Sequence, residues 1–131
     1  MKKVFLGGTC AESTWRDELI PLLDFDYFNP VVKDWTPECI AEEDRQKSFC
    51  GIHLFVLTSQ MIGVYSIAEI VESSLVMRQK TVVNLIPDGF TEAQLKSLMA
   101  VSGMIEAYQR EGFLSLTIPE LAKKLNGEEI I

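Results

Sequence analysis

A chain of 131 residues with 47% hydrophobic content has room for one well-filled core but not for two ordinary domains, so a single domain over residues 1–131 is expected. A net charge of −7 with no basic cluster argues against a nucleic-acid polymer as partner, because phosphate backbones are met chiefly by cations. Three cysteines without C-x-x-C spacing and a single histidine argue against a disulfide frame or a metal centre, and no apolar run reaches the length of a membrane span. The expectation is a cytoplasmic protein with reduced thiols, no membrane partner, no metal and no cofactor.

Lys3-Val4-Phe5-Leu6 reads as a first strand, followed by Gly7-Gly8-Thr9 as a turn in which two glycines let the backbone approach whatever lies above it. Ser13 to Leu23 carries apolar residues at helical spacing and is interrupted by Pro21. Neither G-x-G-x-x-G nor a P-loop pattern occurs here. Cys10 to Arg16 has the C-x5-R spacing of a cysteine phosphatase, but Glu12 and Asp17 make a poor anion cradle. Cys10 is therefore expected as a small buried residue and Arg16 as a surface one.

Phe25 to Phe28 reads as a second strand, stopped by Asn29-Pro30, which leaves Asn29 at a strand end. Thr36-Pro37-Glu38 opens a helix running to about Phe49, with Glu42, Glu43, Arg45 and Gln46 on its solvent side. Ile52 to Thr58 is a short apolar run bounded by polar residues, the pattern of a central strand buried on both faces. After Gly63, the positions Ile67, Ile70, Val71 and Leu75 recur at helical spacing, so a helix begins near Ser66 and carries Glu69 in its first turn. Locally, Ser66-x-x-Glu69 spells a capping box, as do Thr91-x-x-Gln94 and Thr117-x-x-Glu120.

Lys80 to Ile86 is a further buried strand, closed by Pro87-Asp88-Gly89. A helix from about Thr91 follows, with Ser102-Gly103 as its expected weak point. Gly112 to Leu116 reads as a last short strand, and a final helix opens at Thr117. Strands alternating with helices imply parallel crossovers. The expected fold is α/β, a flavodoxin-like or Rossmann-like parallel sheet of about five strands in the order 2-1-3-4-5 with helices on both faces.

Three ordered motifs carry a resemblance: Val4-Phe5-Leu6-Gly7-Gly8-Thr9 with Trp15-Arg16; Phe28-Asn29-Pro30 with Trp35; and Leu57-Thr58-x-x-Met61-x-Gly63-x-Tyr65-Ser66-Ile67-Ala68-Glu69. Together they resemble the nucleoside 2-deoxyribosyltransferase-like family over nearly the whole chain. The resemblance implies cleavage or exchange of the N-glycosidic bond of a nucleoside or nucleotide, without a cofactor, through a covalent sugar ester on Glu69. Gly8, Thr9, Asn29, Tyr65 and Ser66 would line the sugar pocket, and Trp35 would stack on the base. The resemblance also implies a homo-oligomer, with the apolar helix from Thr91 as its contact surface.

The chain departs from the family pattern where an aspartate is expected six residues before the glutamate, since that position is Gly63. A second aspartate expected before the central strand is replaced in Phe49-Cys50-Gly51, and the nearest upstream acid is Asp44. The proton donor for the leaving base is thus unassigned. Two alternatives stay open. The opening strand with Trp15 to Leu19 is also similar to TIR domains, some of which cleave NAD, and a non-catalytic nucleotide-binding module would use Glu69 only as a cap.

Overall fold

The computed structural model of the protein describes residues 2–10, 13–32, 36–109 and 111–127. Four parallel strands, β1 (Lys3–Gly8), β2 (Asp26–Phe28), β3 (Ile52–Leu57) and β4 (Lys80–Leu85), lie in the order β2-β1-β3-β4. Every residue of β3 is buried, as its apolar run, broken only by His53, requires for a strand flanked on both edges and covered on both faces. Glycines 7 and 8 belong to β1 and do not form the turn expected of them, because they pair with Phe55 and Val56 of β3.

The fifth strand is reduced to a single bridge between Leu114 and Asn84. Leu114 donates to the Val83 carbonyl at 2.8 Å and accepts from Leu85 N–H at 2.7 Å. The buried Asn84 side chain then stands in for the next rung. Its Nδ2 donates to Leu116 O at 3.0 Å, and its Oδ1 accepts from Leu116 N–H at 2.8 Å.

Alternation along the strands divides the core in two. Val4, Leu6, Ile52, Leu54, Val56 and Val82 face one way, against α1 (Trp15–Leu19) and the last helix, Ile118–Gly127. The α1 helix is shorter than expected and tightens into a 3-10 turn at Ile20–Leu22, where Pro21 interrupts it. Phe55, Leu57, Val83 and Leu85 face the other way, against α3 (Tyr65–Val71) and α4 (Glu92–Tyr108). The remaining helix, α2 (Pro37–Phe49), is capped as expected by Thr36, whose hydroxyl accepts from Cys39 N–H at 3.2 Å. We number the final helix α5.

Two of the three capping boxes form. Thr91 and Gln94 bond reciprocally at 2.8 and 3.1 Å, and Thr117 and Glu120 at 2.9 and 3.3 Å. The Ser66-x-x-Glu69 box does not form: the N-cap of α3 is Val64, two residues before Ser66, with no side-chain cap, so Glu69 falls beyond the first turn in which it was expected. Glu69 is therefore released from the local role its sequence suggests. The helix continues from Val71 into a π turn at Glu72–Val76, while α4 runs through Ser102-Gly103 without a break. Ser102 is buried, and its hydroxyl accepts from Phe113 N–H at 2.7 Å, so the supposed weak point holds the next segment.

Candidate active site

The carboxyl ends of β1 and β3 open into a cleft of about 330 Å³. Its floor is set by how closely these two strands meet. A Cβ on Gly8 would stand 2.3 Å from Val56 O, and Gly8 holds φ +104°, a conformation that side chains oppose. The glycine is therefore demanded by strand packing. Thr9 N–H then donates to Val56 O at 2.9 Å, and the Thr9 hydroxyl accepts from Thr58 N–H at 3.0 Å. These bonds stitch the loop after β1 to the end of β3.

Arg16 fixes the same loop from α1. It is 4% exposed, and its guanidinium donates to Leu6 O at 3.0 and 2.9 Å and to Thr9 O at 2.7 Å. Trp15 Nε1 adds a bond to Thr9 O at 3.0 Å. Burial lowers the Arg16 pKa, while Cys10, Glu69 and Asp17 pull it back up. Cys10 is exposed, with its thiol 3.4 Å from Gly8 O and 3.7 Å from Arg16 Nη2. The expected placement of this pair is thus inverted. An arginine whose donors are spent on backbone carbonyls is unavailable to clamp a phosphoryl group, so the phosphatase-like spacing is a loop anchor.

Opposite this floor stands a cluster of three ionisable side chains. Lys47 Nζ lies 2.6 Å from Glu69 Oε2 and 3.5 Å from Glu43 Oε1, with the three side chains 8%, 10% and 13% exposed. The ammonium also sits 5.6 Å from the Phe5 ring centre and 5.8 Å from that of Tyr65. Burial by itself would lower the Lys47 pKa, but the hydrogen bond and charge of Glu69, with help from Glu43, outweigh it, and the net direction is upward. Burial raises Glu43, opposed by Lys47 and reinforced by the Glu69 charge. A carboxyl that resists ionisation beside one already in an ion pair is the arrangement in which one acid donates a proton while the other acts as a base or nucleophile.

This cluster contains the residues that sequence reasoning missed. The polar pattern of α2 puts Glu43 and Gln46 on its solvent side. In fact Glu43 borders the cleft and Gln46 is buried, as is Lys47. Asp44, the nearest acid upstream of the central strand, is exposed, and the acid that reaches the cleft is Glu43, one residue before it. The signal that was available is the i, i+4 spacing of Glu43 and Lys47, which puts them on one helix face.

Of the expected site residues, Gly8, Thr9, Tyr65, Ser66 and Glu69 all border the cleft. Asn29 does not. Its side-chain oxygen accepts from Val31 N–H at 3.1 Å, closing a local turn, and its neighbour Pro30 takes the place on the cleft wall. Trp35 lies outside the described residues. Gly63 borders the cleft with open space around its Cβ position, so nothing in the packing requires glycine there.

His53 is 1% exposed and sits behind the cluster. Its Nε2 is 2.6 Å from Lys47 O, an acceptor only, so the neutral ring carries its proton on Nε2 and accepts at Nδ1 from the Ser73 hydroxyl at 2.8 Å. Burial lowers its pKa. The imidazole thus holds the end of α2 that delivers Lys47. Among the described residues, no group of three or more histidine, cysteine, aspartate or glutamate side chains could hold a metal ion, and no helix is long and apolar enough to cross a membrane.

Residues 1–90 match the family described as "nucleoside 2-deoxyribosyltransferase like". That span covers β1 to β4 and every residue of the charged cluster. Among solved structures, a conserved protein from Enterococcus faecalis V583 aligns over 95% of this chain and 97% of its own, with a TM-score of 0.62 and 14% identity, a likeness of fold. No curated protein matches the chain.

Proposed function

The chain belongs to the nucleoside 2-deoxyribosyltransferase-like family, and on that premise we propose that it cleaves or exchanges the N-glycosidic bond of a (deoxy)nucleoside or nucleotide, with Glu69 as nucleophile and Glu43 as proton donor. The observation that carries this reading is the pair of carboxyl groups bridged by Lys47 at the mouth of the parallel sheet. In the first half-reaction a Glu69 oxygen bonds to C1′ and the C1′–N bond breaks. Its electrons pass to the base, which takes the Glu43 proton. In the second, an acceptor base or water gives a proton to Glu43 and displaces the sugar from the glutamyl ester. Gly8, Thr9, Tyr65 and Ser66 border the space left for the sugar.

A homo-oligomer belongs to the same proposal. An apolar groove of about 990 Å³ between α3 and α4 meets the cleft at Met61, Ile62 and Gly63. Ile62 and Val64 on its rim are 89% and 76% exposed, a large apolar surface for a lone chain. A second copy seated there would wall the open side of the cleft. Light scattering at roughly 50 μM, well above the dissociation constant of a stable dimer, is expected to give more than the monomer mass. A cytoplasmic location is supported by cysteines that form no disulfide.

The reaction is tested by incubating the protein with 2′-deoxynucleosides and their 5′-phosphates, with and without an acceptor base, and following free base and new nucleoside chromatographically. Transfer products, or base release alone, are expected from the wild type and at least about a hundredfold less from Glu69→Gln. Equal turnover by the two proteins refutes the nucleophile. Nicotinamide release from NAD would favour the TIR-like reaction. A raised melting temperature without turnover of any substrate would favour a binding module.

A further inference from the structure

We propose that Lys47 exchanges counterions during catalysis, pairing with Glu69 in the resting cleft and with Glu43 once Glu69 is esterified, so that its charge drives the proton from Glu43 to the leaving base. This rests on the glycosidic reading above. The geometry behind it is one ammonium 2.6 Å from one carboxylate and 3.5 Å from another, all three largely withdrawn from solvent.

Charge conservation makes the exchange necessary. In the proposed reaction Glu43 enters holding the proton it is to donate, while the Lys47 ammonium faces the Glu69 carboxylate that is to attack. Ester formation turns the Glu69 carboxylate into a neutral group, and loss of a proton to the base turns Glu43 into a carboxylate. The cluster carries no net charge before or after, Lys47 keeps all its protons, and the buried ammonium always faces one anion. Without the second carboxylate, ester formation would strand the ammonium, which is costly at such low exposure. Without the lysine, both carboxyl groups would compete for one proton.

The direction of the coupling follows from what each group faces. Glu43 is raised by burial and by the Glu69 charge, and lowered by Lys47, with a small upward push from Asp44 on its own helix. Losing the Glu69 charge therefore makes Glu43 the stronger acid at the moment the base departs. Lys47 meets Glu69 and Tyr65 from α3 and the Phe5 ring from β1. Its carbonyl meets His53 of β3, while Arg16 on α1 reaches Glu69 through its field.

Glu69→Gln imitates the neutral ester without needing turnover, so the coupling is read by titrating the Glu43 side-chain carbon in ¹³C-glutamate-labelled protein by NMR. Both carboxylates contact one Nζ, so the contacting oxygens are no more than about 6 Å apart. Removing a charge at that range is expected to lower the Glu43 midpoint by about half a pH unit if the site screens like water, and by about two at an effective dielectric of ~20. Lys47→Met is expected to raise the midpoint and Lys47→Arg to leave it near wild type. Lys47→Gln serves in place of Met should that variant fail to fold. A Glu43 midpoint indifferent to Glu69→Gln, or not raised by loss of the Lys47 charge, overturns the proposal. The reaction itself fails separately, if wild-type protein releases no base while these titration responses are intact.

Discussion

Replacing Lys47 with Met keeps most of the side-chain volume against Phe5 and removes the charge. Glu69, whose side chain is 10% exposed, then loses its 2.6 Å partner. Removing one member of a buried ion pair typically costs about 3–5 kcal/mol, because the survivor is left desolvated and unpaired. Glu69 borders an open cleft, which relieves part of that cost and puts the expected loss near 3 kcal/mol. For a chain of this length such a loss lowers the melting temperature by about 10 °C. The double variant Lys47→Met/Glu69→Gln removes the stranded charge as well and is expected to recover most of the deficit. Urea unfolding followed by circular dichroism at pH 7 measures all three proteins. With Lys47 raised in the folded state, the wild-type advantage is fully present below the ordinary ammonium value of 10.5 and fades only as pH climbs through the raised one. A single variant within about 1 kcal/mol of wild type, or a double variant no more stable than the single, would refute the reasoning.

Gly8→Ala is expected to cost at least about 3 kcal/mol, because φ +104° and a Cβ 2.3 Å from Val56 O force β1 and β3 apart; an unchanged thermal melt contradicts this. Glu43→Gln imitates the neutral form that burial favours, so it should be more stable than wild type at pH 7. Glu43 is raised, so its contribution is fully present below the ordinary value of 4.5 and is lost as pH rises through the folded one, and the advantage of Gln should vanish in acid. Asn84→Ala leaves both backbone groups of Leu116 without partners and is expected to cost about 2–3 kcal/mol, with faster amide exchange at Leu116 as its local signature.

Most of the architecture is written in short-range pattern. The apolar run of β3, the Thr36-Pro37 start of α2 and the reciprocal boxes at Thr91 and Thr117 each depend on neighbours within a few residues, which any stretch of chain carries with it. The parallel strand order follows from that alternation and the handedness of crossovers. The position of Glu69 at the cleft was likewise legible, from the helix that follows the central strand.

The structure departs from the local pattern where a polar residue has two uses and only distant partners choose between them. Ser66-x-x-Glu69 is as good a box as the other two, yet Lys47, twenty-two residues earlier, takes the carboxylate, since a buried ammonium is a stronger partner than one backbone N–H. A polar α2 reads as solvent-facing until its end packs over Phe5 and His53, which withdraws Lys47 from water and brings Glu43 to the cleft. Arg16 went inside because the end of β1 and the loop after it present carbonyls to it at Leu6 and Thr9, and Cys10 was left outside by the same bend. Even the last strand was decided at a distance, where one asparagine side chain on β4 replaced a rung that the backbone did not make. Local sequence sets which elements form, but a charge or an unpaired carbonyl acts on whatever the fold brings near it, and that proximity exists only in the tertiary structure.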